Sequence, residues 1–296
     1  MNSQVSNFVS NLSIPLQQLK IAIVQFKGKR EEYAKRQQQL IDILDDAGEQ
    51  GCRLIVAPEC ACSEYSFHTK EEALLYSEPF DGNFIDKLVA VSIKYQIWCF
   101  VGVIERGQAD KIYNSVFVTA PHGEKYCYRK RLLFEADKLW ATSGEKEPVK
   151  LPPEQTLHAY QLEPLEWDSS PPYPIFNVFG WRTTVGICMD FNDIRFIDFC
   201  VHSEADLIVF PTNWIDEGED VLRYWAAMLQ GAKRATLLAA NSYGQDGDLR
   251  LYGHSAILKA NPPTLLGLAP KDGDYLITCT LDYHFTSHQQ EKEESL

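Results

Sequence analysis

The sequence has too little positive charge to suggest a nucleic-acid-binding surface. Its 28 lysine and arginine residues are outnumbered by 41 aspartate and glutamate residues, which gives a formal net charge of −13. No basic block offsets this balance, because Lys27, Lys29 and Arg30 form only a short cluster before a predicted helix. The charge pattern therefore argues against nucleic acid as a partner.

Cysteine pairs with metal-binding spacing are also missing. The eight cysteines are irregularly placed and include no CxxC pair, and Cys60 and Cys62 are closer together than zinc ligands usually are. We therefore expect no metal site. Scattered cysteines without a disulfide-like pattern are typical of a reducing, cytoplasmic compartment.

The N-terminal segment lacks a long apolar run. Residues 1–19 are polar and have neither the basic start nor the apolar core of a secretory signal. The segment is equally unsuited to span a membrane. We expect a soluble protein with no membrane partner.

The chain does contain a regular alternation of β-rich runs and helical patterns. Predicted strands cover residues 21–26, 52–57, 97–104, 183–187, 205–210, 235–241, 253–258 and 275–281. A hairpin is predicted over residues 113–128, and helical spacing marks residues 30–50, 84–95, 194–201 and 221–232. This alternation predicts one large α/β domain, either two sheets covered by helices in a four-layer sandwich or a doubly wound unit.

A proline-rich segment separates two similar halves of this pattern. Residues 148–174 hold seven of the fifteen prolines, which excludes regular helix and predicts an extended crossing loop. The strand–helix alternation resumes after it, so the segment need not be a domain linker. We expect one domain over residues 19–285, preceded by an N-terminal extension (1–18) and followed by a polar tail (286–296).

Three chemically useful side chains follow predicted strands or the hairpin. Glu59 comes directly after Pro58, which ends a strand, and Lys130 follows the hairpin between two arginines. Cys188 lies where an apolar strand must turn toward a helix. Strand ends are where α/β folds bind ligands, and if the strands before Glu59 and Cys188 are parallel, both residues share one rim. Taken singly, each is more simply a loop acid, a surface charge or a packing thiol.

Together, residues 57–59, 128–134 and 186–190 resemble the motifs of the nitrilase superfamily of carbon–nitrogen hydrolases. The resemblance extends over nearly the whole chain, from residues 21–25 to 277–282. It implies a four-layer αββα sandwich that usually forms a homodimer. It also implies a Glu–Lys–Cys catalytic triad that hydrolyses amide C–N bonds.

The same three side chains suit this chemistry on physical grounds. A thiol needs a base or a nearby cation to become a nucleophile, and Glu59 and Lys130 supply one of each. We expect a low pKa for Cys188 because a helix N-terminus is close. Lys130 and the backbone N–H of Met189 would stabilise the oxyanion, and Glu59 would protonate the leaving amine. We expect Glu59 and Lys130 to act in the chemistry and not merely in the fold, with no cofactor.

One position departs from the family pattern. Many members carry a second glutamate after the lysine, and Asp137 aligns best with it, although its side chain is one methylene shorter. Glu135 is the competing candidate.

The flanks of Cys188 are most similar to the protein N-terminal amidases of this superfamily, which deamidate N-terminal asparagine or glutamine. The ammonium group of a protein or peptide N-terminus would require acids in the pocket. The candidates are Glu64, Asp137, Asp190 and Asp193. Asn213 and Trp214, just past another predicted strand, would line the same pocket.

Several alternatives remain open. A small-molecule ω-amide of a keto acid would need a cation for its carboxylate, for which Arg131 or Arg195 could serve. A nitrile could use the same three catalytic residues. A papain-like enzyme would require His254 as partner of the cysteine, and a catalytically silent binding protein could share the fold.

Overall fold

The computed structural model describes residues 16–144, 173–217 and 220–283. The predicted polar tail, nearly all of the N-terminal extension and most of the proline-rich segment lie outside these residues. Two facing sheets form the centre of the described fold.

Fifteen strands and five α-helices are present in the described residues. The strands are β1 Gln18–Gln25, β2 Leu54–Val56, β3 Glu78–Pro79, β4 Trp98–Arg106, β5 Ile112–Thr119, β6 Lys125–Arg129, β7 Ile175–Val178, β8 Trp181–Val185, β9 Leu207–Thr212, β10 Thr236–Asn241, β11 Tyr243–Asp246, β12 Leu249–Tyr252, β13 Ala256–Lys259, β14 Thr264–Leu268 and β15 Tyr275–Asp282. The helices are α1 Tyr33–Glu49, α2 Lys70–Leu74, α3 Asn83–Tyr95, α4 Ile194–His202 and α5 Val221–Met228.

Each large sheet has a parallel centre with antiparallel flanks. The first sheet has the order β15-β1-β2-β4-β5-β6, with β3 beside β4, and the second has the order β14-β13-β10-β9-β8-β7. Strands β1, β2 and β4 are parallel to one another, as are β8, β9 and β10. Strands β11 and β12 form a separate hairpin.

The central strands are buried on both faces, which explains why their sequences are almost continuously apolar. In β1, Ile21 and Ile23 belong to the core between the two sheets, whereas Ala22 and Val24 pack in the core with α1 and α3. Phe196 of α4 and Trp225 of α5 cover the second sheet. The layers are therefore helix, sheet, sheet and helix, which confirms the predicted four-layer α/β sandwich.

One feature of the predicted arrangement needs correction. Strand β2, which leads to Glu59, and β8, which leads to Cys188, belong to different sheets and do not share a rim of one sheet. The ends of the two sheets nevertheless meet, because Asn213, which follows β9, bonds to Glu59. The candidate site therefore lies between the sheets.

Candidate active site

Glu59 is held at the end of β2 by a close backbone approach. The side chain is buried. A Cβ atom at Gly102 would lie 2.1 Å from the Pro58 carbonyl oxygen and 2.6 Å from the Glu59 Cα atom. Only glycine at position 102 therefore lets this turn pack against β4.

The Glu59 carboxylate accepts three hydrogen bonds. Its Oε1 accepts from Lys130 Nζ at 2.7 Å and from Asn114 Nδ2 at 2.6 Å, and its Oε2 accepts from the backbone N–H of Asn213 at 2.7 Å. A carboxylate oxygen can accept two such bonds, so Oε2 keeps one acceptor position for a reacting proton.

Lys130 lies between two carboxylates. Its completely buried side chain donates to Glu59 Oε1 at 2.7 Å and to Asp137 Oδ2 at 2.5 Å, which uses two of its three N–H groups. Burial alone would lower the pKa of Lys130, but the charges of Asp137 and Glu59 outweigh burial and hold that pKa well above its usual value. The side chain is therefore an ammonium with one donor left for a ligand.

Of the two candidate second acids, Asp137 lies beside Lys130. It is buried, and its Oδ2 also accepts from the backbone N–H of Phe134 at 2.9 Å. The Glu135 side chain is 80% exposed and pairs with Lys138 at 2.5 Å. The shorter aspartate thus reaches the lysine, whereas Glu135 is a surface residue.

Asn114 is a site residue that the sequence reasoning missed. It lies buried on β5 and its Nδ2 donates to Glu59 Oε1 at 2.6 Å and to Asp137 Oδ1 at 2.9 Å. One amide group therefore holds both carboxylates in place. The available signal was an asparagine inside the otherwise largely apolar run of β5, where a buried polar side chain needs partners.

Cys188 begins a short 3-10 turn, Cys188–Asn192, which follows β8. Its φ of +43° lies in the left-handed region, which is uncommon for a residue other than glycine and is often found at functional sites. The residue is only 8% exposed. The element that begins at the thiol is this five-residue turn, and helix α4 begins only at Ile194.

The expected low pKa of Cys188 is wrong for this structure. Burial, followed by the negative charge of Glu59, raises the pKa of the thiol to about 12, while Lys130 and the Thr212 hydroxyl act in the opposite direction. The thiol is therefore protonated at neutral pH. A nucleophilic role for this sulfur would require a base to accept its proton, and Glu59 is a carboxylate close enough to act on the thiol.

Asp190 joins the cysteine turn to the lysine loop. Its buried carboxylate accepts four hydrogen bonds from the chain, from the backbone N–H groups of Arg131 (3.1 Å), Leu132 (2.8 Å) and Ile187 (2.9 Å) and from the Tyr128 hydroxyl (2.8 Å). Its acceptor positions are filled, so it does not fit the predicted role of binding a substrate ammonium.

An Asp190→Asn variant is expected to unfold more easily without changing substrate preference. The new amide group would face N–H donors, and the loss of bonds to buried donors costs about 1–3 kcal/mol in the free energy of unfolding. Urea unfolding would measure this loss. The ratio of kcat/KM for free and N-acetylated peptides should stay at the wild-type value, and a selective loss on the free peptide would restore the predicted ammonium contact.

Asn213 is tied to Glu59, whereas Trp214 lies in an aromatic cluster. The buried Asn213 donates from Nδ2 to the Glu59 backbone oxygen at 3.0 Å, and its Oδ1 has no hydrogen-bond partner among the described residues. The half-buried Trp214 packs edge-on against Trp225. Met189 is half-buried, and its Sδ lies 3.2 Å from Asn192 Nδ2.

The remaining charged candidates are engaged with other groups of the chain. Glu64 lies 3.4 Å from Arg30 Nε, and Asp193 pairs with Arg195 at 2.7 Å. The Arg131 guanidinium lies 4.5 Å from the ring centre of Tyr173. The four acids predicted to bind an ammonium, and both arginines predicted to bind a carboxylate, therefore already have contacts within the protein.

His254 does not support a papain-like arrangement. Its ring packs against Tyr252 with the ring centres 5.0 Å apart, and its Nδ1 lies 3.1 Å from the Ala269 carbonyl oxygen. These contacts account for the histidine without the cysteine.

With this fold and site, the chain belongs to the carbon–nitrogen hydrolase family, whose model matches residues 20–286. The protein N-terminal amidase of Schizosaccharomyces pombe is 26% identical over 270 residues, covering 81% of this chain and 91% of that protein. The protein N-terminal amidase of Saccharomyces cerevisiae is 26% identical over 217 residues, covering 67% of this chain but only 45% of that protein. The protein is thus a carbon–nitrogen hydrolase.

Solved structures show the same fold. A cysteine-to-alanine mutant of the Nesterenkonia AN1 amidase from the nitrilase superfamily matches with a TM-score of 0.68 and 17% identity, covering 91% of this chain and 93% of that chain. The predicted αββα architecture is therefore confirmed.

Three further observations concern the described residues. None of their helices is long and apolar enough to cross a membrane. No group of three or more histidine, cysteine, aspartate or glutamate side chains among them is placed to hold a metal ion. All eight cysteines are free thiols.

Proposed function

We propose that Cys188, Glu59 and Lys130 carry the hydrolysis, with Asp137 holding Lys130 in position. The observation that carries this proposal is the buried ammonium between two carboxylates, next to a buried thiol. This arrangement offers a nucleophile, a base and a fixed positive charge within one small space. Acyl transfer by a thiol can use all three: the nucleophile bonds to the acyl carbon, the base accepts its proton and the positive charge stabilises the oxyanion.

In the proposed first step, the thiol proton passes to Glu59 Oε2 as sulfur bonds to the carboxamide carbon. The carbonyl π electrons move onto oxygen, which accepts hydrogen bonds from Lys130 Nζ and the Met189 backbone N–H. Collapse breaks the C–N bond, and Glu59 returns the proton to the departing ammonia. Water, activated by the same carboxylate, then hydrolyses the thioester to the acid and restores the thiol.

The substrate we propose is a protein or peptide that begins with asparagine or glutamine. The names of the two fungal relatives, together with the extent of similarity, support this choice. An α-ammonium would need an acceptor near Glu59, and Asn213 Oδ1 is buried without a partner among the described residues. Asn213 is thus a better candidate for this contact than the four acids that already have partners.

Ammonia release from three substrates tests this choice. An Asn-initiated peptide is expected to turn over about ten- to a hundredfold faster than its N-acetylated form, because a charge-assisted hydrogen bond contributes roughly 1.5–3 kcal/mol. The third substrate is an ω-amide of a keto acid. Equal rates for the free and acetylated peptides, or activity only on the keto acid, would contradict the N-terminal substrate.

Three expectations about context complete the proposal. The eight free thiols support a reducing cytoplasm as the site of action. A homodimer is the assembly that the family resemblance implies. We also propose that residues 19–285 form the catalytic domain, with residues 1–18 and 286–296 outside it.

A further inference from the structure

The Tyr65 hydroxyl stands out among the buried polar groups of the residues that the structure describes. The residue is 1% exposed, and its oxygen has no hydrogen-bond partner in the described part of the chain. Buried hydroxyl groups are nearly always paired, because an unpaired one loses its bonds to water and gains none. A phenylalanine would fill the same space without this penalty, so the hydroxyl calls for another explanation.

The Tyr65 ring lies against the catalytic lysine. Lys130 Nζ is 5.5 Å from its ring centre, and Trp140 packs edge-on against the ring with the centres 6.4 Å apart. Beyond Lys130, the charged or reactive groups that act on the phenol are Asp137, Glu59 and Cys188. The hydroxyl therefore lies among the groups that carry the proposed reaction.

The backbone of Tyr65 is held by a second buried group. Asp246, at the turn of the β11–β12 hairpin, accepts the N–H of Tyr65 on Oδ2 at 2.7 Å and the N–H of Ser66 on Oδ1 at 3.2 Å. This buried carboxylate holds the loop that carries the ring. The position of Tyr65 is therefore built into the fold.

The burial of Tyr65 and the charge of Lys130 indicate which kind of ligand atom could bond to the hydroxyl. Burial raises the pKa of Tyr65 well above its usual value, so the phenol keeps its proton and is a donor at neutral pH. The neighbouring Lys130 ammonium disfavours a second cation and favours an oxygen that carries negative charge. The oxygen of an amide under attack acquires such a charge.

We propose that Tyr65 donates a hydrogen bond from Oη to the carboxamide oxygen as it becomes an oxyanion, alongside Lys130. This inference rests on the proposed acyl transfer at Cys188. The sulfur–carbon bond forms, the π electrons move onto the oxygen, and Glu59 holds the thiol proton while Tyr65 retains its own. Tyr65 is thus a further catalytic residue, and its contact is made with the substrate and not within the fold.

A Tyr65→Phe variant tests this role. Its kcat is measured on the Asn-initiated peptide, the N-acetylated peptide or the ω-amide of a keto acid, whichever the wild-type protein hydrolyses fastest. Removal of one oxyanion donor is expected to lower kcat about 100- to 1,000-fold. The melting temperature should stay at the wild-type value or rise, because no bond of the fold is lost. The rate at which iodoacetamide alkylates Cys188 should not change, because alkylation displaces iodide and forms no oxyanion.

Tyr128→Phe is the matched control. Tyr128 is also buried near the site, but its hydroxyl donates to Asp190 at 2.8 Å, so this variant should melt at a lower temperature. Three results would overturn the Tyr65 proposal. They are wild-type kcat in Tyr65→Phe, a fall in its melting temperature like that of Tyr128→Phe, and a loss of Cys188 alkylation as large as the loss of turnover.

The two proposals can fail separately. An acyl adduct on Cys188 in the wild-type protein, together with full activity of Tyr65→Phe, rejects only the role of Tyr65. Turnover that survives Cys188→Ala rejects the acyl-enzyme mechanism and the Tyr65 proposal with it.

Discussion

A Cys188→Ala variant is expected to lose at least about 10,000-fold in turnover while keeping its fold, because removal of a nucleophile that acts with its base abolishes most of the catalysis. The change deletes one sulfur atom from a residue that is 8% exposed, so the core loses little. Ammonia release gives the rate. Mass spectrometry of the intact wild-type protein with an amide should show an acyl adduct that the variant lacks.

Cys200→Ala provides the control, because Cys200 is a buried thiol on α4 that takes no part in the proposed site. Its turnover should match that of the wild-type protein. The pH dependence of alkylation gives a second check on Cys188. With the pKa of Cys188 raised to about 12, its labelling by iodoacetamide should rise about tenfold per pH unit from pH 7 to 9, since the thiolate is the reactive form. An acyl adduct on another cysteine would reject the assignment.

A Lys130→Met variant is expected to lose both turnover and stability. The loss of an oxyanion donor lowers the rate about 100- to 1,000-fold. The variant also leaves Glu59 and Asp137 buried without their shared cation, and breaking a buried ion pair costs about 3–5 kcal/mol in the free energy of unfolding. The expectation that Lys130 acts in the chemistry and not merely in the fold stays a prediction, and the structure adds that the lysine neutralises two buried carboxylates.

A second substitution separates these two roles. A Lys130→Met, Asp137→Asn double variant loses the lysine's positive charge and the negative charge of Asp137 together. Only Glu59 is then left as an unpaired buried charge, so much of the free energy of unfolding lost in Lys130→Met should return. Urea unfolding would measure the recovery. Turnover should stay as low as in the single variant. A double variant that regains turnover together with stability would show that Lys130 serves only the fold.

Local sequence patterns predicted the residues that lie at strand ends. Glu59 follows Pro58, just past the end of β2 at Val56, and Cys188 comes shortly after β8, so each stood out within a few residues of sequence. The alternation of strands and helices likewise predicted the layers, because strands buried on both faces are continuously apolar. These features depend on neighbouring residues and are visible in one sequence.

The features that the sequence did not predict depend on contacts between distant segments. Asn114 is 55 positions from Glu59 along the chain, and no periodicity relates the two. The role of Asp190 depends on a loop 58 positions away, at Leu132. The pKa of Cys188 depends on burial and on the Glu59 charge, neither of which a turn motif contains. Short elements such as α2, β7, β11, β12 and β14 were also missed, since each is held by its neighbours more than by its own pattern.

The residues of the proposed site come from two sheets, which matters while the chain is being synthesised. Glu59, Asn114 and Lys130 belong to segments of the first sheet or its loops, whereas Cys188 and Asn213 follow strands of the second sheet. The first sheet is itself complete only when β15, near the end of the described chain, pairs with β1. A chain that is still being made therefore contains Glu59 and Lys130 before it contains Cys188, and the residues of the proposed site meet only where both sheets have formed and packed together.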